Sequence, residues 1–154
     1  METGEQRLKS YMEQAGIPGE HLVFAGSCHS VAEAAEAAGV RPEDMVKSIC
    51  MVGDQDEWIV ALIRGEDTAS TTRLGRVLGI PPPRLASAPE ILARTGYPCG
   101  GTPPFGYPAR FVVDPRVLEK EWVYGGGGSP RSLVRVPSQA LVWANQALVA
   151  RIRR

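Results

Sequence analysis

The chain has 154 residues, 44% of them hydrophobic, which is enough to close one full core and too few for two ordinary domains; one domain over residues 1–154 is expected. Seventeen basic and seventeen acidic side chains give a formal net charge of +0, which excludes a protein that wraps a long duplex and leaves room only for a small nucleic-acid footprint. No run approaches the roughly eighteen apolar residues of a membrane span, and Cys28, Cys50 and Cys99 form no Cys-x-x-Cys pair or even-numbered framework, so a cytoplasmic protein with reduced thiols and no membrane partner is expected.

In chain order, Leu8, Tyr11, Met12 and Ala15 fall at helical spacing and predict a helix over residues 4–15, lying as a lid on the core. A short strand is predicted over His21–Ala25. Ser30-Val31-Ala32-Glu33 reads as a capping box that opens a helix running to Ala38, with Gly39 beyond its end. Met45–Val52 alternates as a strand, and Trp58–Arg64 follows Gly53-Asp54-Gln55-Asp56 as the second arm of a long hairpin. Caps within residues 68–72 open a short helix through Leu74, Val77 and Leu78, and Arg84-Leu85-Ala86 is at most a short strand. Ser87-Ala88-Pro89-Glu90 is a second capping box, and its helix stops at Gly96. Strands are expected at residues 110–113, 121–124 and 133–136, a capped turn at Asp114-Pro115, and a last helix from Ser138 with Ala140, Leu141, Ala144 and Leu148 on its stripe, ending in the basic run at Arg151–Arg154. Hairpin neighbours outnumber βαβ units, which favours a mixed α/β fold: a curved, partly barrel-like mixed sheet surrounded by helices.

Two features carry chemistry. The stretch Gly96–Gly106 holds four glycines and three prolines in eleven residues, so it is a shaped loop in which Gly100-Gly101 lets backbone N–H groups approach a ligand. A rigid surface turn is the plainer alternative. Lys47 stands on a strand face with Met45, Ile49 and Met51, where an ammonium must snorkel, pair, or project into a cavity that takes an anionic group. Gly125–Gly128 with Ser129-Pro130 forms a second glycine-rich loop that is no Walker or dinucleotide fingerprint, and a flexible hairpin tip is its alternative. Cys28 beside His29, and Cys99, are the nucleophile candidates; no metal-ligand spacing and no catalytic triad is present, so neither metal nor cofactor is expected.

The segment Ser30–Ala35 running to Val46-Lys47-Ser48, the loop Thr95–Gly106 with Gly100-Gly101-Thr102-Pro103-Pro104-Phe105-Gly106, and Tyr124 through Gly128-Ser129-Pro130 resemble the YbaK family. These are trans-editing aminoacyl-tRNA deacylases related to the insertion domain of bacterial prolyl-tRNA synthetase. The resemblance covers roughly residues 5–150 and implies hydrolysis of the ester that joins a wrong amino acid to the tRNA 3′ end, with Cys- or Ala-tRNA(Pro) as substrate. It implies Lys47, Gly100 and Gly101 as catalytic residues and Phe24, Ser48, Thr102, Pro104, Gly128 and Ser129 as substrate-binding residues. The tRNA acceptor end is the implied partner, with an aminoacyl-tRNA synthetase as a second. Many members carry an acid before the last helix, and Pro137-Ser138-Gln139-Ala140-Leu141 has none. A non-catalytic module that binds aminoacyl-tRNA or a nucleotide, and a hydrolase using Cys99, stay open as other readings.

Overall fold

The computed structural model describes residues 2–154, and Met1 lies outside the described residues. Thr3 opens α1 (Gly4–Ala15) with a full capping box: its hydroxyl accepts from the Gln6 N–H at 3.1 Å, and the Gln6 side chain accepts from the Thr3 N–H at 2.8 Å. Leu8 and Met12, one helical turn apart, are its buried residues, so the expected lid is a layer of the core itself. Next come β1 (Glu20–Val23) and α2 (Val31–Ala38). Ser30 caps the Glu33 N–H, but the exposed Glu33 carboxylate does not return the bond, so only half of the expected capping box forms. Strands β2 (Val46–Val52) and β3 (Trp58–Arg64) form the long hairpin, paired from Val46 with Arg64 to Val52 with Trp58.

After the hairpin come α3 (Thr71–Leu78), capped by Ser70, then β4 (Arg84–Leu85) and α4 (Ala88–Thr95), whose Ser87 and Glu90 complete a reciprocal capping box. The chain continues through β5 (Arg110–Val113), β6 (Trp122–Gly126), β7 (Ser132–Pro137), α5 (Ala140–Trp143) and β8 (Leu148–Val149). One sheet has the order β4-β2-β3-β5-β8 and the other β1-β7-β6. The larger sheet is mixed: β3 with β5 and β5 with β8 are parallel, while the hairpin is antiparallel. A parallel bridge from Met45 to Tyr124 links the two sheets, so the strands curve part of the way round a barrel without closing it. The mixed α/β fold is therefore the expected one.

Strand β3 is buried from Trp58 to Ile63, as a central strand covered on both faces must be. Trp58, Val60 and Leu62 join the main core with Leu8, Met12 and Phe105, while Ile59, Ala61 and Ile63 join a second cluster with Leu74 and Ile152. A third cluster, Cys28, Ala34, Ala35, Met45 and Leu133, seats α2. That hydrophobic seat sets one wall of the cavity described below.

Two expectations are corrected. The strand expected over residues 121–124 runs on through Gly125 and Gly126, which pair with Val134 and Leu133, so half of the second glycine run is sheet and not a flexible tip. The long final helix stops at Trp143: Gln146 has φ 50°, and the chain turns into β8 beside β5. Buried Asp114 then captures the tail, accepting from the N–H groups of Ile152 at 2.9 Å and Arg153 at 3.1 Å and from the Arg153 guanidinium at 2.7 Å. Those bonds outweigh the helical propensity of the stretch.

Candidate functional site

The loop after α4 is fixed at both ends. Gly96 closes the helix in the left-handed region, and the Thr95 hydroxyl donates to Ile91 O at 2.7 Å while accepting from the Tyr97 N–H at 3.0 Å. Pro98 O then gathers the Gly101 N–H at 3.0 Å and the Thr102 hydroxyl at 2.9 Å, folding residues 98–102 into a tight turn. At the far end Pro103 O accepts from the Tyr107 hydroxyl at 2.8 Å and from the Ser48 hydroxyl at 3.4 Å, and Asn145 Nδ2 donates to Pro104 O at 2.8 Å. Burial pushes the Tyr107 phenol well above its ordinary pKa, so it stays a donor. Two prolines and these bonds leave the loop little entropy to lose on binding a ligand.

Gly100 sits at the crest with φ 88°, and its Cα lies directly under the ring of His29, where a Cβ would collide with Nδ1. Gly101 is buried, and a Cβ there would stand 2.6 Å from the Ser129 backbone. Gly101 O accepts from the Gly128 N–H at 2.8 Å, so the second glycine loop backs the first. Because the Gly101 N–H is committed to Pro98, it is not free for a ligand. Among the described residues, the Gly100 and Thr102 N–H groups donate to no other group.

The loop forms one wall of a cavity of about 190 Å³. Strand β2 supplies Val46, Lys47 and Ser48, α2 and its lead-in supply His29, Val31 and Ala34, and α4 supplies Ile91. Lys47 is half-buried and takes no part in the ion pairs found among the described residues. Burial holds its ammonium below the ordinary lysine range, and the Asp67 carboxylate opposes that shift. A partly desolvated cation that forms no direct ion pair among the described residues favours an incoming anionic or strongly polar group.

The structure brings Lys47, Ser48, Gly100, Gly101 and Thr102 together on this cavity. It places the other expected residues elsewhere. Phe24 lines a separate shallow depression with Glu33 and Glu36, and Pro104 is buried against Gly125. Gly128 and Ser129 stand behind Gly101, outside the cavity lining. Cys28 and Cys99 both face the cavity, but burial pushes the Cys28 thiol up, away from the thiolate a nucleophile needs. Sequence reasoning missed Val31, Ala34, Ile91 and Leu133 in the wall. The only signal for them was ordinary apolar periodicity, which does not separate a cavity wall from a core. No group of three or more His, Cys, Asp and Glu side chains able to hold a metal occurs among the described residues.

Among the described residues, a small cavity with a lysine in no ion pair and two unbonded amides at a glycine crest is chemically suited to a compact, polarised acyl or anionic group. Residues 25–143 match the family described as the aminoacyl-tRNA editing domain, and the chain belongs to that family. It is 34% identical over 123 residues to the proline--tRNA ligase of Thermotoga neapolitana, covering 79% of this chain and 20% of that protein. The chain thus spans about a fifth of the length of that ligase. It is 27% identical to the uncharacterized protein YwhH of Bacillus subtilis, over 87% of this chain and 86% of YwhH. Among solved structures, a protein provisionally described as a trans-editing enzyme for prolyl tRNA synthetase superimposes with TM-score 0.91 at 27% identity, covering 100% of this chain and 99% of that one. The hypothetical protein APE2540 does so with TM-score 0.89 at 31% identity, covering 96% and 99%. This chain is accordingly an aminoacyl-tRNA editing domain related to those of prolyl-tRNA synthetases, a family whose general activity is aminoacyl-tRNA deacylation.

Proposed function

We propose that the protein hydrolyses the ester bond of mischarged aminoacyl-tRNA, with tRNA(Pro) carrying alanine or cysteine as substrate, acting in trans as one unit over residues 1–154. The observation that carries this reading is the shared cavity of Lys47 and the Gly100–Thr102 crest, in a chain of the editing family. Water adds to the ester carbonyl carbon, the carbonyl oxygen becomes an oxyanion, and collapse expels the ribose oxygen, which takes up a proton. In this reading the unbonded N–H groups of Gly100 and Thr102, both on the cavity wall, are the donors to that oxyanion, and Gly101 shapes the turn that carries them. Lys47 fixes the terminal phosphate or ribose of the acceptor end. The resemblance implies that the substrate's own hydroxyl or a cysteine side chain assists attack; burial disfavours the Cys28 thiolate, while exposed Cys99 stays the cysteine candidate on the cavity. Orientation of an already activated ester supplies on the order of 7 kcal/mol.

Cavity size bears on the choice between readings. Pockets for nucleotides and drug-sized ligands run to about 300–1,000 Å³. At about 190 Å³ this one suits a small aminoacyl group, which disfavours a nucleotide-binding module. The test is a panel of alanyl-, cysteinyl-, seryl- and prolyl-tRNA(Pro) incubated with purified protein. Release of alanine or cysteine with proline retained is the expected outcome. Binding across the panel without any release would replace hydrolysis with a binding role.

A further inference from the structure

The first turn of α1 touches both glycine loops from outside the cavity, and the function described above leaves it without a role. The Thr3 and Gln6 capping box sets this turn so that Gly4 and Glu5 face residues 128 and 129. Gly4 packs so closely that a Cβ on it would stand 2.6 Å from Gly128 O. The Ser129 hydroxyl donates to Glu5 Oε2 at 2.6 Å, a short bond of the charge-assisted kind. With its one proton given to Glu5, Ser129 Oγ accepts from Ser132 Oγ at 2.7 Å and from the Arg131 N–H at 3.3 Å, so its hydrogen-bonding capacity is filled. From there the path is backbone: residue 129 abuts Gly101, and the Gly128 N–H holds Gly101 O. Two residues further along α1, Arg7 reaches Gly96 O, and its guanidinium lies 4.4 Å over the Tyr97 ring, which steadies the start of the same loop.

We infer that Glu5 is a positioning residue for the amide crest: through Ser129 it clamps the second glycine loop against Gly101 and so fixes where the Gly100 and Thr102 N–H groups point. Its effect on hydrolysis rests on the editing reading, but the clamp itself does not. Displacing an oxyanion donor by about 1 Å costs on the order of a hundredfold in rate. Ser129, expected from the family resemblance to bind substrate, serves in this arrangement as the latch.

Glu5→Ala, Glu5→Gln and Ser129→Ala are the test, each checked for folding by thermal melt. In single-turnover deacylation, Glu5→Ala should lower the rate about tenfold or more with tRNA affinity unchanged. Glu5→Gln, which keeps an acceptor oxygen, should recover most of that loss. Ser129→Ala should match Glu5→Ala, and the double variant should be no worse than either single one. Amide hydrogen exchange at Gly101 and Gly128, whose N–H groups are held by Pro98 O and Gly101 O, followed by NMR, should quicken in Glu5→Ala and return toward the native rate in Glu5→Gln. Native exchange in both Glu5→Ala and Ser129→Ala would overturn the clamp, as would a Glu5→Ala variant with the native rate. A native protein that hydrolyses nothing would instead remove the editing reading, leaving exchange to judge the clamp.

Discussion

Lys47 is costly where it stands. Its folded-state pKa is depressed by burial, so between that value and the ordinary lysine value of about 10.4 the unfolded chain binds more protons, and stability rises with pH across the interval. Below it, the penalty of the half-buried ammonium is present in full. Lys47→Met keeps the apolar stem and removes the charge, so its melting temperature at pH 7 should exceed that of the native protein, with the gap closing as pH rises toward 10. Deacylation should fall sharply in the same variant, the trade expected of a functional group held in an unfavourable place. A melting temperature at or below the native value at pH 7 would contradict the desolvation argument. The cysteines divide in the same physical terms. Burial pushes Cys50 up to about 12, whereas Cys99 is exposed, so a maleimide at pH 7 should label Cys99 and spare Cys50 in the folded protein. Lys47 was legible because an ammonium on a strand face among Met45, Ile49 and Met51 breaks the pattern around it. The ring of His29 over Gly100 was not, because contact between two loops far apart in sequence leaves no periodic trace.

Among the elements, those fixed by local chemistry were legible and those fixed by tertiary capture were not. The capping residues Ser30, Ser70 and Ser87 and the closing glycines Gly39, Gly79 and Gly96 set α2, α3 and α4 to within a residue or two of where their sequences place them. The C-terminal stretch shows the opposite. Its apolar spacing reads as one long helix, but the bonds to Asp114 convert its end into β8 and an extended tail. Burial raises the Asp114 pKa, yet the N–H donors and the Arg153 guanidinium outweigh it and hold the carboxyl below the usual range. Its contribution is therefore present above the ordinary aspartate value of about 3.9 and lost as pH falls through the folded value. Asp114→Ala leaves the Arg153 guanidinium and the N–H groups of Arg116, Ile152 and Arg153 without their acceptor and should cost about 3 kcal/mol in urea unfolding at pH 7. A loss under about 0.5 kcal/mol would show that the tail is held by its apolar contacts, Ile152 first among them.

At the scale of the molecule, the cavity belongs to no single element. Strand β2 brings Lys47, the lead-in to α2 brings His29, the loop after α4 brings the crest, and β6 and β7 back it with Gly126 and Leu133. Sequence patterns reported the parts, since a lysine out of place and a Gly-Gly-Thr-Pro-Pro turn are both local signals. Their meeting depends on the curvature that joins two sheets through the Met45–Tyr124 bridge, which no local pattern encodes. The most direct measurement is the single-turnover deacylation rate of alanyl-tRNA(Pro), or of cysteinyl-tRNA(Pro) if that is the better substrate, for the native protein and for a folded Lys47→Ala variant. The expected result is hydrolysis by the native protein and a loss of at least about a hundredfold in the variant. Equal rates in the two proteins would contradict a cavity in which Lys47 and the glycine crest act on one ester.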